Sequence, residues 1–177
     1  WPTAGSDAAS IDGDIAGGPH ATGTYQVTAV ALPVDNDDSL TEARNLGSIA
    51  TAGDTVNDNI VTDIDVDLYR FTVTNGQVVD FDIDTAINGP GGVGTFIRLF
   101  NSTGQEIAFN DNGTAPGEGT LGFDSYLRHA FTTGGTYYLG VSSANNTLYN
   151  TTTGGNDAAG GPNSIGEYQI NIQTAAA

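Results

Sequence analysis

Residues 65–84 read DVDLYRFTVTNGQVVDFDID. Two segments, 67–74 and 77–84, alternate apolar with polar side chains, and Asn75-Gly76 stands between them. Successive side chains of a strand point to opposite faces, so such alternation marks a strand with one buried and one wet side. Asn-Gly is a turn dipeptide because both residues tolerate positive φ. In the second segment Val79, Phe81 and Ile83 fall on the core side, and Asp80, Asp82 and Asp84 on the solvent side.

The same pattern continues in both directions. Further strands are expected at 24–31, 59–62, 95–101, 105–109, 125–132, 136–143 and 167–173, with turns at Asn101-Ser-Thr-Gly104 and Gly134-Gly135. Residues 39–46, SLTEARNL, allow one short helical turn, and the glycine-rich stretch 150–166 reads as a long loop. Many short strands at this spacing predict an all-β chain folded as an antiparallel sandwich.

The two ends of the chain resemble each other. DIAGGPHATGTYQ at 14–26 is echoed by DAAGGPNSIGEYQ at 157–169. The economical division is a tail, 1–34, resembling the end of a preceding repeat, followed by one complete unit over 35–174. The tail carries a strand-like segment, 24–31, without the rest of its own repeat. Such a surplus strand can add to an exposed sheet edge of a neighbouring copy.

Composition narrows the partners. The chain has 177 residues, no Cys and no Met, and its four basic residues are Arg44, Arg70, Arg98 and Arg128. Against them stand 21 acidic residues, for a formal net charge of −17. Nucleic acid is an unsuitable partner, since phosphate binding needs clustered cations. No apolar run of membrane-spanning length occurs, so no membrane span is expected. The sequence begins at Trp1, which fits a processed or excised piece of a secreted protein.

Four stretches in order carry a family resemblance. They are DVDLYRFTVTNGQVVDFDID at 65–84, TFIRLFNSTGQEIAFNDNG at 95–113, DSYLRHAFTTGGTYYLGVSS at 124–143 and GEYQINIQ at 166–173. Together they resemble the bacterial pre-peptidase C-terminal domain. The resemblance implies a sandwich of jelly-roll type, secreted or at the cell surface, and no catalysis of its own. It also implies attachment to secreted hydrolases or repetition in surface proteins, and some members of the family bind calcium.

Calcium takes six to eight oxygen ligands, which acidic clusters can supply. One cluster is Asp35, Asn36, Asp37, Asp38 and Glu42. A second is Asp63, Asp65 and Asp67, which would share a face if they lie on one strand. The third, favoured here, is Asn110, Asp111 and Asn112, with Glu118 and Asp124 across a glycine-containing loop. The expected ligands are Asn110, Asp111, Asn112, Asp124 and Glu118, then Asp65, Asp67 and Asp38, holding a structural Ca2+.

An enzyme is not expected. The histidines are His20, in a Gly-Pro turn, and His129, in a strand where packing is its expected role. There is no Cys nucleophile, no Gly-x-Ser-x-Gly elbow and no His-Glu-x-x-His zinc motif. The loop aromatics Trp1, Phe123 and Tyr149 are the candidates for a sugar platform. Two functions remain. One is an extracellular structural repeat or filament subunit that contacts copies of itself through 1–34. The other is an accessory module of a secreted peptidase or polysaccharide hydrolase, binding extracellular protein or polysaccharide or acting as a spacer.

Overall fold

A computed structural model describes residues 36–49, 53–85, 93–118, 124–153 and 165–175. The expected strand 24–31 and most of the glycine-rich stretch lie outside the described residues, as do Trp1, Asp35 and Phe123. Nine strands are described: β1 Arg44–Ser48, β2 Asp54–Ile60, β3 Val66–Val73, β4 Val78–Asp84, β5 Thr95–Asn101, β6 Glu106–Asn110, β7 Tyr126–Ala130, β8 Gly135–Ser143 and β9 Gly166–Ala175. They form two sheets, ordered β1-β3-β8-β5-β6 and β2-β9-β4-β7.

The pairing has one rule. β5 pairs with β6, and outward from that hairpin β4 pairs with β7, β3 with β8 and β2 with β9, all antiparallel. A ribbon doubled on itself, whose successive pairs fall alternately in the two sheets, is a jelly roll. β1 is an addition, lying parallel to β3 at the sheet edge. The Asn75-Gly76 turn therefore joins no hairpin. It passes the chain from β3 in one sheet to β4 in the other, with Gly76 at φ +79°.

Alternation decides what fills the space between the sheets. Tyr69, Phe71, Phe81, Ile83, Ile97, Leu99, Phe131, Leu139, Ile170 and Ile172 are buried there. The Phe71 ring sits 5.4 Å from Phe81 and 6.1 Å from Phe131, in tilted and edge-on contact. His129 packs as expected, its ring 4.7 Å from Phe131. Burial lowers its pKa.

A second apolar cluster covers the outer face of the five-stranded sheet. Val66, Leu68, Phe100 and Tyr149 form it, with Leu40 and Ala43 packed against them. Arg98 closes it. Its guanidinium stands 4.5 Å from the Tyr149 ring centroid and 4.9 Å from that of Phe100, and its Nη1 donates to the Tyr149 carbonyl. Tyr149 is thus buried, not an exposed sugar platform as its loop position suggested. Conversely, Phe109, on β6, is 60% exposed and stacked on Phe96.

Two elements differ from expectation at the N-terminal side. The 39–46 segment makes a single turn, with Ala43 N–H donating to the Ser39 carbonyl, and then extends as β1. β2 begins at Asp54 and ends at Ile60, where 59–62 was expected. Its alternation is masked by Asp58, which shares the inward side with Val56 and Ile60 and is held there by Tyr69 and Arg44.

Gly140 is where the second cluster leaves no room. A Cβ there would lie 2.1 Å from the Tyr149 hydroxyl oxygen and 3.1 Å from Leu68. Overpacking of this kind costs about 1–3 kcal/mol. Gly140→Ala should lower the thermal midpoint, and Tyr149→Phe in the same chain should restore part of the loss. The Tyr149 hydroxyl has no hydrogen-bond partner among the described residues, so Tyr149→Phe alone should cost little. Additive losses in the double variant would contradict this packing account.

Candidate metal centre

The carboxylates gather at two places. At the first, β4 places Asp82 and Asp84 on its outward side, and the turn after β6 carries Glu118 to them. One carboxylate oxygen from each of Asp82, Asp84 and Glu118 lies within 4.8 Å of the others. Glu118 is set by its own turn, in which Ala115 N–H donates to its Oε2 at 2.9 Å. Asp84 Oδ2 accepts from the Asn171 side-chain amide at 2.6 Å. Asp124 stands beside them, its Oδ1 accepting from the backbone N–H and the hydroxyl of Thr85.

The electrostatic consequence is legible in Asp82. Desolvation, and then the charges of Glu118, Asp84, Asp124 and Asp80, push its pKa up to about 6. Asp84 is raised by desolvation and by Glu118 and Asp124. Asp80, on the same side of β4, is paired with Arg128 through a two-pronged contact at 2.8 and 3.1 Å and accepts from the Tyr126 hydroxyl. Three of the four Arg residues are paired with other acids, Arg44 with Asp58, Arg98 with Glu106 and Arg128 with Asp80, and the charges acting on Asp82 and Asp84 are those of carboxylates.

The second place is internal. Asp67 lies on the inward side of β3 with no exposed surface. Its Oδ2 accepts from the Tyr168 hydroxyl, which is 2.6 Å from that of Tyr69, and Tyr69 in turn donates to Asp58 at 2.9 Å. Its Oδ1 has no hydrogen-bond partner among the described residues. Burial first, then the charges of Asp65, Asp37 and Asp58, raise its pKa to about 10 against the lowering effect of the Tyr168 bond. Asp38 Oδ1 accepts from Val66 N–H and Asp65 Oδ2 from Val61 N–H. The Asp37 carbonyl accepts from Leu68 N–H. Oxygen-only donors of this kind suit a hard divalent cation such as calcium.

The structure regroups the sequence clusters. Asp37 and Asp38, from the first, join Asp65 and Asp67, from the second. Asp63 sits in the 62–64 turn and not on the strand, so the three Asp residues at 63, 65 and 67 do not share one face. From the third cluster Glu118 and Asp124 meet Asp82 and Asp84, which the sequence had assigned only to solvent. Asn110 ends β6, and Asp111 and Asn112 follow it. The Asp111 carbonyl accepts from Ser125 Oγ, and the Asp111 carboxylate is not part of the Asp82–Asp84–Glu118 group.

Residues 65–143 match the family model of the bacterial pre-peptidase C-terminal domain. Among solved structures, the chain is similar to the pre-peptidase C-terminal domain of a collagenase from Bacillus anthracis, at 16% identity and TM-score 0.47, covering 75% of this chain and 95% of that one. It is also similar to PliG of Aeromonas hydrophila, a periplasmic inhibitor of g-type lysozyme, at 15% identity and TM-score 0.43, covering 75% and 99%. The Salmonella Typhimurium protein of the same name gives 16% identity and TM-score 0.38, covering 75% and 100%. No curated protein matches the sequence. Strands β3 to β8, with Asp82 and Asp84 on β4 and Glu118 in the turn after β6, fall within the segment that matches this family model.

Proposed function

We propose that this chain is a non-catalytic extracellular structural module, stabilised by calcium and joined to neighbouring copies through residues 1–34. The observation that carries the calcium part is the Asp82–Asp84–Glu118 group, whose oxygens lie within 4.8 Å of one another. Like charges this close destabilise the fold unless a proton or a cation enters. Asp124 and water would complete the ligand set. The Asp67 knot, with Asp37, Asp38 and Asp65, is the second calcium position. There the orphaned Asp67 oxygen is the group a cation would satisfy. The assembly part rests on the repeat: 14–26 echoes 157–169, yet 1–34 resembles only the end of a unit.

The family match favours a second reading, an accessory module that spaces a secreted peptidase or polysaccharide hydrolase or holds its protein or polysaccharide substrate. Both readings place the domain outside the cytoplasm and assign it no chemistry. They part on whether full-length chains associate.

Calcium should raise the thermal midpoint of chelator-stripped protein. A ligand that binds only the native state adds about 2.7 kcal/mol at a hundredfold excess over its dissociation constant. Glu118→Gln should weaken the response at the outer group, and Asp67→Asn at the inner one. A midpoint that ignores calcium would remove the claim.

The pH dependence follows from the raised carboxylates. Asp67 keeps its proton in the folded state up to about pH 10, and Asp82 up to about pH 6. An unfolded Asp loses its proton near pH 4. Folding then retains protons that unfolding releases, so these groups favour the fold fully only below about pH 4. Metal-free stability from Asp67 should decline from there to about pH 10, and that from Asp82 to about pH 6. Asp67→Asn should flatten the alkaline part of the decline in metal-free melts. Since a cation displaces the proton, calcium should stabilise more at pH 8 than at pH 5.

Deleting residues 1–34 should leave a folded monomer by light scattering while the full chain associates. Association that survives the deletion would sink the assembly reading, and a strictly monomeric full chain would leave the accessory-module reading.

A further inference from the structure

The described sandwich ends in four edge strands, and they are not equally open. β1 carries a register break between Asn45 and Gly47, and β6 is bulged where it faces Leu99 and Phe100. Bulges twist an edge away from new partners. β7 is five residues long, and its Arg128 is held by Asp80. β2 pairs with β9 over seven consecutive positions without a break, from Asp54↔Ile172 to Ile60↔Gly166. Its other edge has no strand partner among the described residues. Val56 and Ile60 face inward, and Thr55, Asn57 and Asn59 face out.

β9, the strand that β2 already accepts, has a twin in the sequence. Tyr168 and Gln169 of β9 correspond to Tyr25 and Gln26 of the echoed segment. The twin also lies in an uncharged stretch of an acidic chain. Between Asp14 and Asp35 there is no Asp, Glu, Lys or Arg. A strand without carboxylates can lie beside Asp54 and Asp58 with no like-charge penalty.

We propose that the free edge of β2, Asp54–Ile60, accepts residues 24–31 of a second copy as an added antiparallel strand. The inference rests on the assembly reading above and names its acceptor. In the register that β9 uses, Tyr25 falls opposite Asp58, Gln26 opposite Asn57, Val27 opposite Val56 and Ala29 opposite Asp54. Tyr25, Val27 and Ala29 then share the inward side with Val56 and Ile60, and extend the core. On the outward side Gln26 meets Asn57, whose Oδ1 already accepts from Gln169 at 2.7 Å on the β9 side.

Chain reach selects a second copy. In this register residue 31 lies opposite position 52. The Asp37 carbonyl binds Leu68 N–H, and the Tyr69 side chain reaches Asp58, so Asp37 is level with the Ile60 end of β2. The separation along the strand is about seven positions, or roughly 23 Å, with about 10 Å more between sheets. The six steps from residue 31 to 37 span at most about 20 Å.

The absence of cysteine makes a direct test possible. Full-length chains carrying Asn57→Cys are mixed with full-length chains carrying Gln26→Cys and oxidised mildly, and covalent dimers are read on a non-reducing gel. The expected result is a disulfide-linked heterodimer that is lost when Ile107→Cys on β6 replaces Asn57→Cys. Cross-linking that is as strong at Ile107 would overturn the assignment of the edge. So would a chain carrying both Asn57→Cys and Gln26→Cys that closes on itself as a monomer. If the unmodified chain associates through 1–34 but no β2 cross-link forms, only the acceptor is wrong. If the unmodified chain does not associate, the assembly reading fails and this inference with it.

Discussion

The jelly roll holds carboxylates closer together than their charges favour, and much of the rest of the molecule answers to that constraint. Asp67 is enclosed between the sheets, with Asp65, Asp37 and Asp58 raising its pKa. Asp82 and Asp84 are pinned to β4 while the turn at Ala115–Glu118 brings a third acid against them. Neither arrangement follows from a need to bury apolar surface. Each is a cost that a bound proton offsets, and that calcium would offset in its place under the function proposed above.

The architecture explains why both groups sit where they do. Doubling a ribbon at β5–β6 and winding it into two sheets sets β4 beside β7 and β3 beside β8. The turn leaving β6 must then cross towards β7, which delivers Glu118 and Asp124 to the outward side of β4. On the inner side, Tyr69 and Tyr168 come from opposite sheets and meet at their hydroxyls. That contact between the layers fixes Asp67 and Asp58 at its two ends. The aromatic packing of Phe71, Phe81 and Phe131 supplies the apolar burial that offsets such polar costs.

The readable parts of the fold were those where alternation is clean. In β4 the apolar residues Val79, Phe81 and Ile83 and the acids between them show the strand and its two faces directly. β2 hid because Asp58 occupies an inward position that only its bonds to Tyr69 and Arg44 make tolerable. Asp67 was expected as a ligand in the acidic set at 63, 65 and 67, and only tertiary contacts show it enclosed between the sheets. Tyr149 stands in a loop by sequence, yet the Arg98 guanidinium and Phe100 ring bury it. The carboxylate sites were half legible. Glu118 and Asp124 were identified from loop chemistry, whereas their partners Asp82 and Asp84 lie far back in the chain and meet them only through the pairing of β4 with β7.

Calorimetric titration of calcium into chelator-stripped full-length protein, repeated in buffers of different ionisation enthalpy, tests the central claim most directly. The account predicts saturable binding with proton release, because the cation displaces protons held by the crowded carboxylates. It also predicts that Glu118→Gln weakens binding at the outer group and that Asp67→Asn removes the release attributable to the inner one. Absence of a calcium heat, or binding with no proton release that is indifferent to both substitutions, would contradict it.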